Sequence, residues 1–194
     1  MFGYAEVTLG EIAEYVTERI DAIAITPLNY VSVENLLQNK QGKTGASSVP
    51  KNTALIAYRK NDILIGNIRP YLKKIWKADN NGGTNGDVLT IRIKKDAPII
   101  VTPDFLYYVL ASDDFFNYDN GHTKGAKMPR GDKMAVLEYK LSIPTISEQT
   151  RITGILDRFD TLCSDITEGI PAEIEARQKQ YEHYRDRLLS FKEI

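Results

Sequence analysis

The stretch Ser147-Glu148-Gln149-Thr150-Arg151-Ile152-Thr153-Gly154-Ile155-Leu156-Asp157-Arg158-Phe159-Asp160 divides the chain into two kinds of sequence. From it onward, apolar residues recur with helical spacing: Ile152, Leu156, Phe159, Cys163 and Ile166 step by 4, 3, 4 and 3. That is the seam of a helix lying along another helix. Gly169 interrupts the pattern and Pro171 can open a second helix. In it Ile174, Arg177, Tyr181, Tyr184, Leu188 and Phe191 step by 3, 4, 3, 4 and 3, with charged residues on the other faces. About 20 residues of helix run roughly 30 Å, more than a small domain covers at one end, so this stripe needs a partner helix. The alternative is that it packs back on the chain's own preceding helix.

Upstream, the period changes. Leu89, Ile91 and Ile93 alternate with Thr90, Arg92 and Lys94, the pattern of a strand with one buried face and one wet, basic face. Residues 30–33, 55–58 and 63–68 are shorter β-forming runs, the last introduced by the turn pair Asn61-Asp62. The Asn/Gly-rich segment 80–86 predicts a hairpin joining 71–78 to the strand at Leu89, with Arg92 and Lys94 facing solvent. Thr8 and Glu11 have capping-box spacing and predict a helix over 9–16; Thr102, Pro103 and Asp104 open another that runs through Leu110. Residues 121–132, with three glycines and a proline, read as an exposed loop. The fold class is therefore α+β: a mixed α/β domain over 1–146, followed by a C-terminal helical, coiled-coil-like region over 147–194.

A length of 194 residues suits one domain with an extension, and 42% hydrophobic with 26% charged residues excludes disordered and fibrous classes. No apolar run approaches the roughly 20 residues that span a bilayer, and the first ten residues lack a signal core, so a cytoplasmic protein without membrane contact is expected. The formal net charge of -1 hides a strong segregation. Residues 1–39 carry one basic and six acidic side chains, whereas 40–95 carry twelve Lys/Arg against Asp62, Asp79 and Asp87. Residues 96–121 have five Asp and no basic residue, and 122–140 return to positive through Lys124, Lys127, Arg130, Lys133 and Lys140. If the two basic blocks converge in the fold, they form a face for a polyanion. The plainer reading is that these lysines are simply solvated.

Catalytic and cofactor motifs fail one by one. Gly42-Lys43-Thr44 resembles the end of a phosphate-binding loop, but Leu37 stands where its first glycine is required. The glycines of 80–86 lack the strand-to-helix setting of a dinucleotide site. A single cysteine, Cys163, allows no internal disulfide and falls in the helical seam as a small hydrophobe. Two distant histidines, His122 and His183, offer neither zinc-ligand spacing nor a readable triad, and His122 reads as an exposed loop residue before it reads as a nucleic-acid contact. No metal, cofactor or catalytic residue is expected.

The run Ile143-Pro144 to Glu148-Gln149, then Arg151-Ile152 and Ile155-Leu156-Asp157-Arg158-Phe159-Asp160, closely resembles the start of the helical conserved region in specificity subunits of type I restriction-modification systems. The segment from Ile174-Glu175-Ala176-Arg177 through Tyr181-Glu182-His183-Tyr184-Arg185-Asp186-Arg187-Leu188-Leu189 is similar to the spacer of that family. Asp62-Ile63-Leu64-Ile65, Ile68-Arg69-Pro70 and the 121–132 loop resemble landmarks of its target recognition domain. The resemblance implies a non-catalytic subunit that binds double-stranded DNA and directs a partner adenine-N6 methylase subunit to a bipartite target, with a restriction subunit as an optional third component. Family members carry two recognition domains and two spacers, whereas this chain carries one of each and so resembles a half subunit, for which a homodimer is expected and action alone or a truncated product are the alternatives. The candidate DNA contacts are Lys43, Arg69, Lys73, Lys74, Lys124, Lys127, Arg130 and Lys133. The candidate dimer or partner interface is Ile152, Leu156, Phe159, Ile174, Tyr181, Tyr184, Leu188 and Phe191. The competing expectation is a nucleic-acid- or protein-binding adaptor with a coiled-coil tail and no role in DNA modification.

Overall fold

In order along the chain the elements are β1 (Tyr4–Thr8), α1 (Leu9–Ile12), β2 (Ala13–Tyr15), β3 (Arg19–Asp21), β4 (Tyr30–Val31), β5 (Ala54–Tyr58), β6 (Ile63–Gly66), β7 (Ile75–Lys77), β8 (Gly82–Thr84), β9 (Val88–Ile93), α2 (Pro103–Leu110), α3 (Asp113–Gly121), α4 (Lys133–Glu138), β10 (Lys140–Pro144), α5 (Ile146–Asp165) and α6 (Pro171–Leu189). The computed structural model describes residues 3–51, 53–165 and 171–190. Three sheets result: β2-β9-β6-β7, β3-β5-β8-β4, and the pair β1-β10. All strand pairs are antiparallel except β4 with β8. No helix among the described residues is long and apolar enough to cross a membrane.

β6 shows why the domain holds together. Its four residues are all buried, and alternation sends Ile63 and Ile65 into one core and Leu64 into another. The larger core gathers Leu9, Ile12, Leu89, Ile91, Phe105, Leu106, Phe115 and Phe116 from the domain, together with Ile152 and Leu156 of α5 and Tyr181 of α6. The smaller one packs Val31, Leu36, Tyr58, Trp76 and Val88 around Leu64.

Three expectations change here. The 80–86 segment is not a turn between neighbouring strands: β7 and β9 both flank β6, and Gly82–Thr84 crosses to the second sheet as β8. Its glycines serve close approach, since a Cβ at Gly82 would lie 2.0 Å from the Asn29 carbonyl oxygen and 2.5 Å from the Tyr58 hydroxyl. The predicted helix over 9–16 stops at Ile12, although Glu11 does accept from the Thr8 N–H at 2.6 Å and from its hydroxyl at 2.9 Å. Ala13–Tyr15 is taken instead by the free edge of β9. Arg92 and Lys94 are not simply solvated either. Arg92 grips Asp62 with Nε and Nη2 at 2.8 and 2.7 Å and approaches Glu18, while Lys94 Nζ donates to the Gly10 carbonyl.

The helical region is fastened at its start by a buried residue. Gln149 has no exposed surface; its Oε1 accepts from the Thr102 N–H at 2.9 Å, and its Nε2 donates to the carbonyls of Ile100 and Pro144 at 3.0 and 2.9 Å. Tyr108 of α2 donates to Asp157 at 2.6 Å and contacts Asp160 at 3.0 Å, clamping α5 to the domain. α6 then returns along its own chain, the alternative to a partner helix. Phe159 stacks on Tyr184 at 6.1 Å and meets Tyr181 at 6.4 Å, and the Tyr181 hydroxyl bonds to Asp160. Arg185, 1% exposed, holds Asp186 and lies 3.6 Å from Asp113 of α3. Of the expected partner interface, Ile152, Leu156 and Tyr181 are therefore buried within the chain, and Leu188 and Phe159 are half-buried. Leu162 and Tyr184 stay exposed. Ile166 and Phe191, and the side chains of Cys163 and Ile174, lie outside the described residues.

Candidate nucleic-acid interface

The second basic block folds back onto the first. Within the 122–132 loop, Lys124 and Arg130 exchange backbone hydrogen bonds at 2.8 and 2.9 Å. The closed loop lies on the segment after β6, where the Arg69 N–H donates to the Pro129 carbonyl at 2.8 Å and the Gly131 N–H to that of Asn67 at 3.2 Å. Arg69 adopts a left-handed backbone, φ 54°, turning the chain into a 3₁₀ turn at Pro70–Leu72. α4 starts where the loop ends: the Asp132 carboxylate accepts from the Met134 N–H at 3.0 Å, and the Tyr15 hydroxyl donates to the Lys133 carbonyl at 2.8 Å.

This packing gathers five of the eight expected DNA contacts. Arg69, Lys127 and Lys133 are exposed, and none has an ion-pair partner among the described residues. Lys124 is 80% exposed and pairs with Asp132; Arg130 pairs with Asp87 at 2.9 Å. Exposed apolar side chains, Tyr71, Met128 and Met134, are interleaved with these cations in sequence. His122 closes the end of α3, its Nδ1 2.7 Å from the Tyr118 carbonyl, and is exposed.

The other three lysines are occupied within the fold. Lys43 Nζ donates to the Leu28 carbonyl at 2.9 Å and sits 5.0 Å from the centre of the Trp76 ring. Lys74 Nζ donates to the Val33 carbonyl, and burial pushes its pKa below the ordinary lysine value. Lys73, with Lys40, holds Asp113 at 2.7 and 2.9 Å; burial raises that carboxyl, but the two ammonium groups more than offset it and hold it at about 2.

Two features escaped the sequence reading. Beside the cationic loop opens a cleft of about 430 Å³, lined by Tyr30, Ser32, Asn35, Thr44, Ser47, Ile68, Asn85 and Asp87 among others. It offers hydroxyl, amide and carboxylate groups at hydrogen-bonding range of whatever lies across it. Beneath the loop, Asp119 and Asn67 are buried, with both carboxylate oxygens and the amide oxygen lacking hydrogen-bond partners among the described residues. They close on Gly131, where a Cβ would come within 2.4 Å of Asp119 Oδ1 and 2.9 Å of Asn67 Oδ1. Burial pushes the Asp119 carboxyl up to about 6.

Residues 2–176 match the model of the type I restriction modification DNA specificity domain. The chain belongs to that family. Among its relatives, the specificity subunit of the type I restriction enzyme EcoR124I/EcoR124II from Escherichia coli is 44% identical over 87 residues, which are 45% of this chain and 22% of that subunit. The MpnII specificity subunit of Mycoplasma pneumoniae is 41% identical over 66 residues, 34% of this chain and 20% of its own length. The fold matches the crystal structure of the HsdS subunit from Thermoanaerobacter tengcongensis with a TM-score of 0.63 at 24% identity, over 86% of this chain and 43% of that one. The chain thus spans less than half the length of the proteins it matches. Membership in the specificity family accords with the mixed α/β domain and helical region seen here.

Proposed function

We propose that this chain is a non-catalytic, sequence-specific DNA-binding specificity subunit that directs a partner adenine methylase. The observation that carries the reading is the convergence of Arg69, Lys124, Lys127, Arg130 and Lys133 on two loops and the start of α4, held together by backbone hydrogen bonds beside a polar cleft. Phosphates would be met by the exposed, unpaired cations, and base edges by the cleft and by Arg130. Lys43, Lys73 and Lys74 contribute to the positive field while holding the domain together. The recognition domain over 1–146 is followed by a helical region over 147–194 that docks methylase subunits, with a restriction subunit added in complexes that cleave DNA. A second copy of the chain would join through the exposed Leu162 and Tyr184 of the helical region, giving inverted half-sites on a cytoplasmic target.

Titration of duplex binding against salt tests this. The wild-type chain is expected to lose affinity steeply as salt rises, and the combined variant Arg69→Ala, Lys127→Ala, Lys133→Ala to lower the log–log slope by about three, one per phosphate contact. A slope unchanged in the triple variant removes these loops from the interface, and affinity independent of salt favours a protein-binding adaptor.

A further inference from the structure

Two of the five clustered cations are paired with carboxylates in the free chain, and the pairs differ in kind. Lys124 meets Asp132, an acid of its own loop that already caps α4. Arg130 instead reaches a different element, its Nη2 2.9 Å from Oδ1 of Asp87, just before β9. Both backbones at this second pair are fixed. The Asp87 carbonyl accepts from the Asn67 N–H at 2.9 Å, its N–H donates to Asn85 Oδ1 at 3.2 Å, and Arg130 is bridged to Ile68 and to Lys124. Asp87, Asn85 and Ile68 also line the polar cleft, so the pair joins Arg130 to a residue of the cleft wall.

We propose that Asp87 is a specificity-determining positioning residue: it holds the Arg130 guanidinium beside the cleft wall, aimed at a base edge instead of at the phosphate backbone. The inference rests on the DNA-recognition reading above. A pair this exposed, with side chains 57% and 40% accessible, adds little to folding, so stability is not its use. A guanidinium carries five donors in a rigid fork, and a carboxylate on one nitrogen fixes the plane of the rest before DNA arrives. Part of the ordering is then made in the free chain, and that part is not subtracted from binding. The fork suits the paired acceptors of guanine in the major groove. The Asp87 carboxylate also repels phosphates, which penalises every register that places the backbone there.

The test uses the full chain, a random-sequence duplex and the duplex that the wild-type chain enriches from a random pool. Asp87→Asn is expected to bind the random duplex severalfold more tightly and to steepen the salt slope by about one, because the freed guanidinium takes a phosphate. Its preference for the enriched duplex should fall about tenfold. Arg130→Lys keeps the charge without the fork, and is expected to lose a similar preference for the enriched duplex. Unmoved preference and slope in Asp87→Asn, or full preference in Arg130→Lys, overturn the inference while leaving salt-dependent DNA binding in place. A wild-type chain that binds no duplex removes both readings.

Discussion

Asp119 carries the clearest consequence at the scale of one residue. Its carboxyl is buried without a hydrogen-bond donor among the described residues, and burial raises it to about 6. The folded chain therefore keeps a proton that the unfolded chain releases near pH 4. Between those values the folded state binds more protons, so this group's contribution to stability is most favourable below pH 4 and falls as pH rises through 6. Above that, the buried charge costs up to about 3 kcal/mol. Asp119→Asn removes the charge. Denaturant unfolding should show the variant more stable than wild type at pH 7.5 by up to that amount, with the gap closing near pH 4; a gap independent of pH would contradict the account. The sequence held a clue to this residue that the acidic composition of 96–121 obscured. On a helix, Asp119 lies three and four residues from Phe116 and Phe115, on the face that enters the core. Asp113 was likewise readable only as part of an acidic surface, because Lys40 and Lys73 reach it from 73 and 40 residues away.

At the scale of elements, helices were more legible than strand partners. Thr102 caps α2 through the Phe105 N–H, Pro103 follows it, and α5 begins at Ile146, all close to what local chemistry dictates. Strand pairing depends on distant segments, which is why 80–86 looked like a hairpin turn and became β8, and why Ala13–Tyr15 left its helix for β9. The motif Glu148-Gln149 was visible as a pattern, but its task, with Gln149 satisfying Thr102, Ile100 and Pro144, needed the fold. The apolar stripe of α6 left two packings open, and Arg185 is the residue that ties it to its own domain. It lies buried beside Asp113 and Asp186, 5.7 Å from the centre of the Tyr181 ring. Arg185→Ala removes a buried side chain and its contacts with Tyr181, Asp113 and Asp186, at roughly 1–3 kcal/mol. Hydrogen exchange should then show α6 losing protection while β6 and β9 keep theirs. Unchanged protection of α6 would mean that Phe159, Tyr181 and Asp160 suffice to hold it.

For the whole molecule, segregated charge along the sequence becomes a local face in space. The basic block 40–95 divides on folding: Arg69 joins the cations of the second loop, while Lys43, Lys73, Lys74 and Arg92 turn to carbonyls and carboxylates of the domain. Counting charges could locate the blocks but not this division, which is set by the contact of 67–69 with 122–132. Two such faces in one assembly would read two half-sites, separated by a gap that the helical regions fix. The proposed DNA recognition is open to a decisive measurement, the mapping of adenine methylation in cells that make this chain together with type I methylase subunits. Such recognition predicts one bipartite motif with inverted, matching halves that disappears when the chain is omitted. Methylation that persists without the chain would contradict DNA recognition by it, and a motif with two unrelated halves would contradict pairing with a second copy.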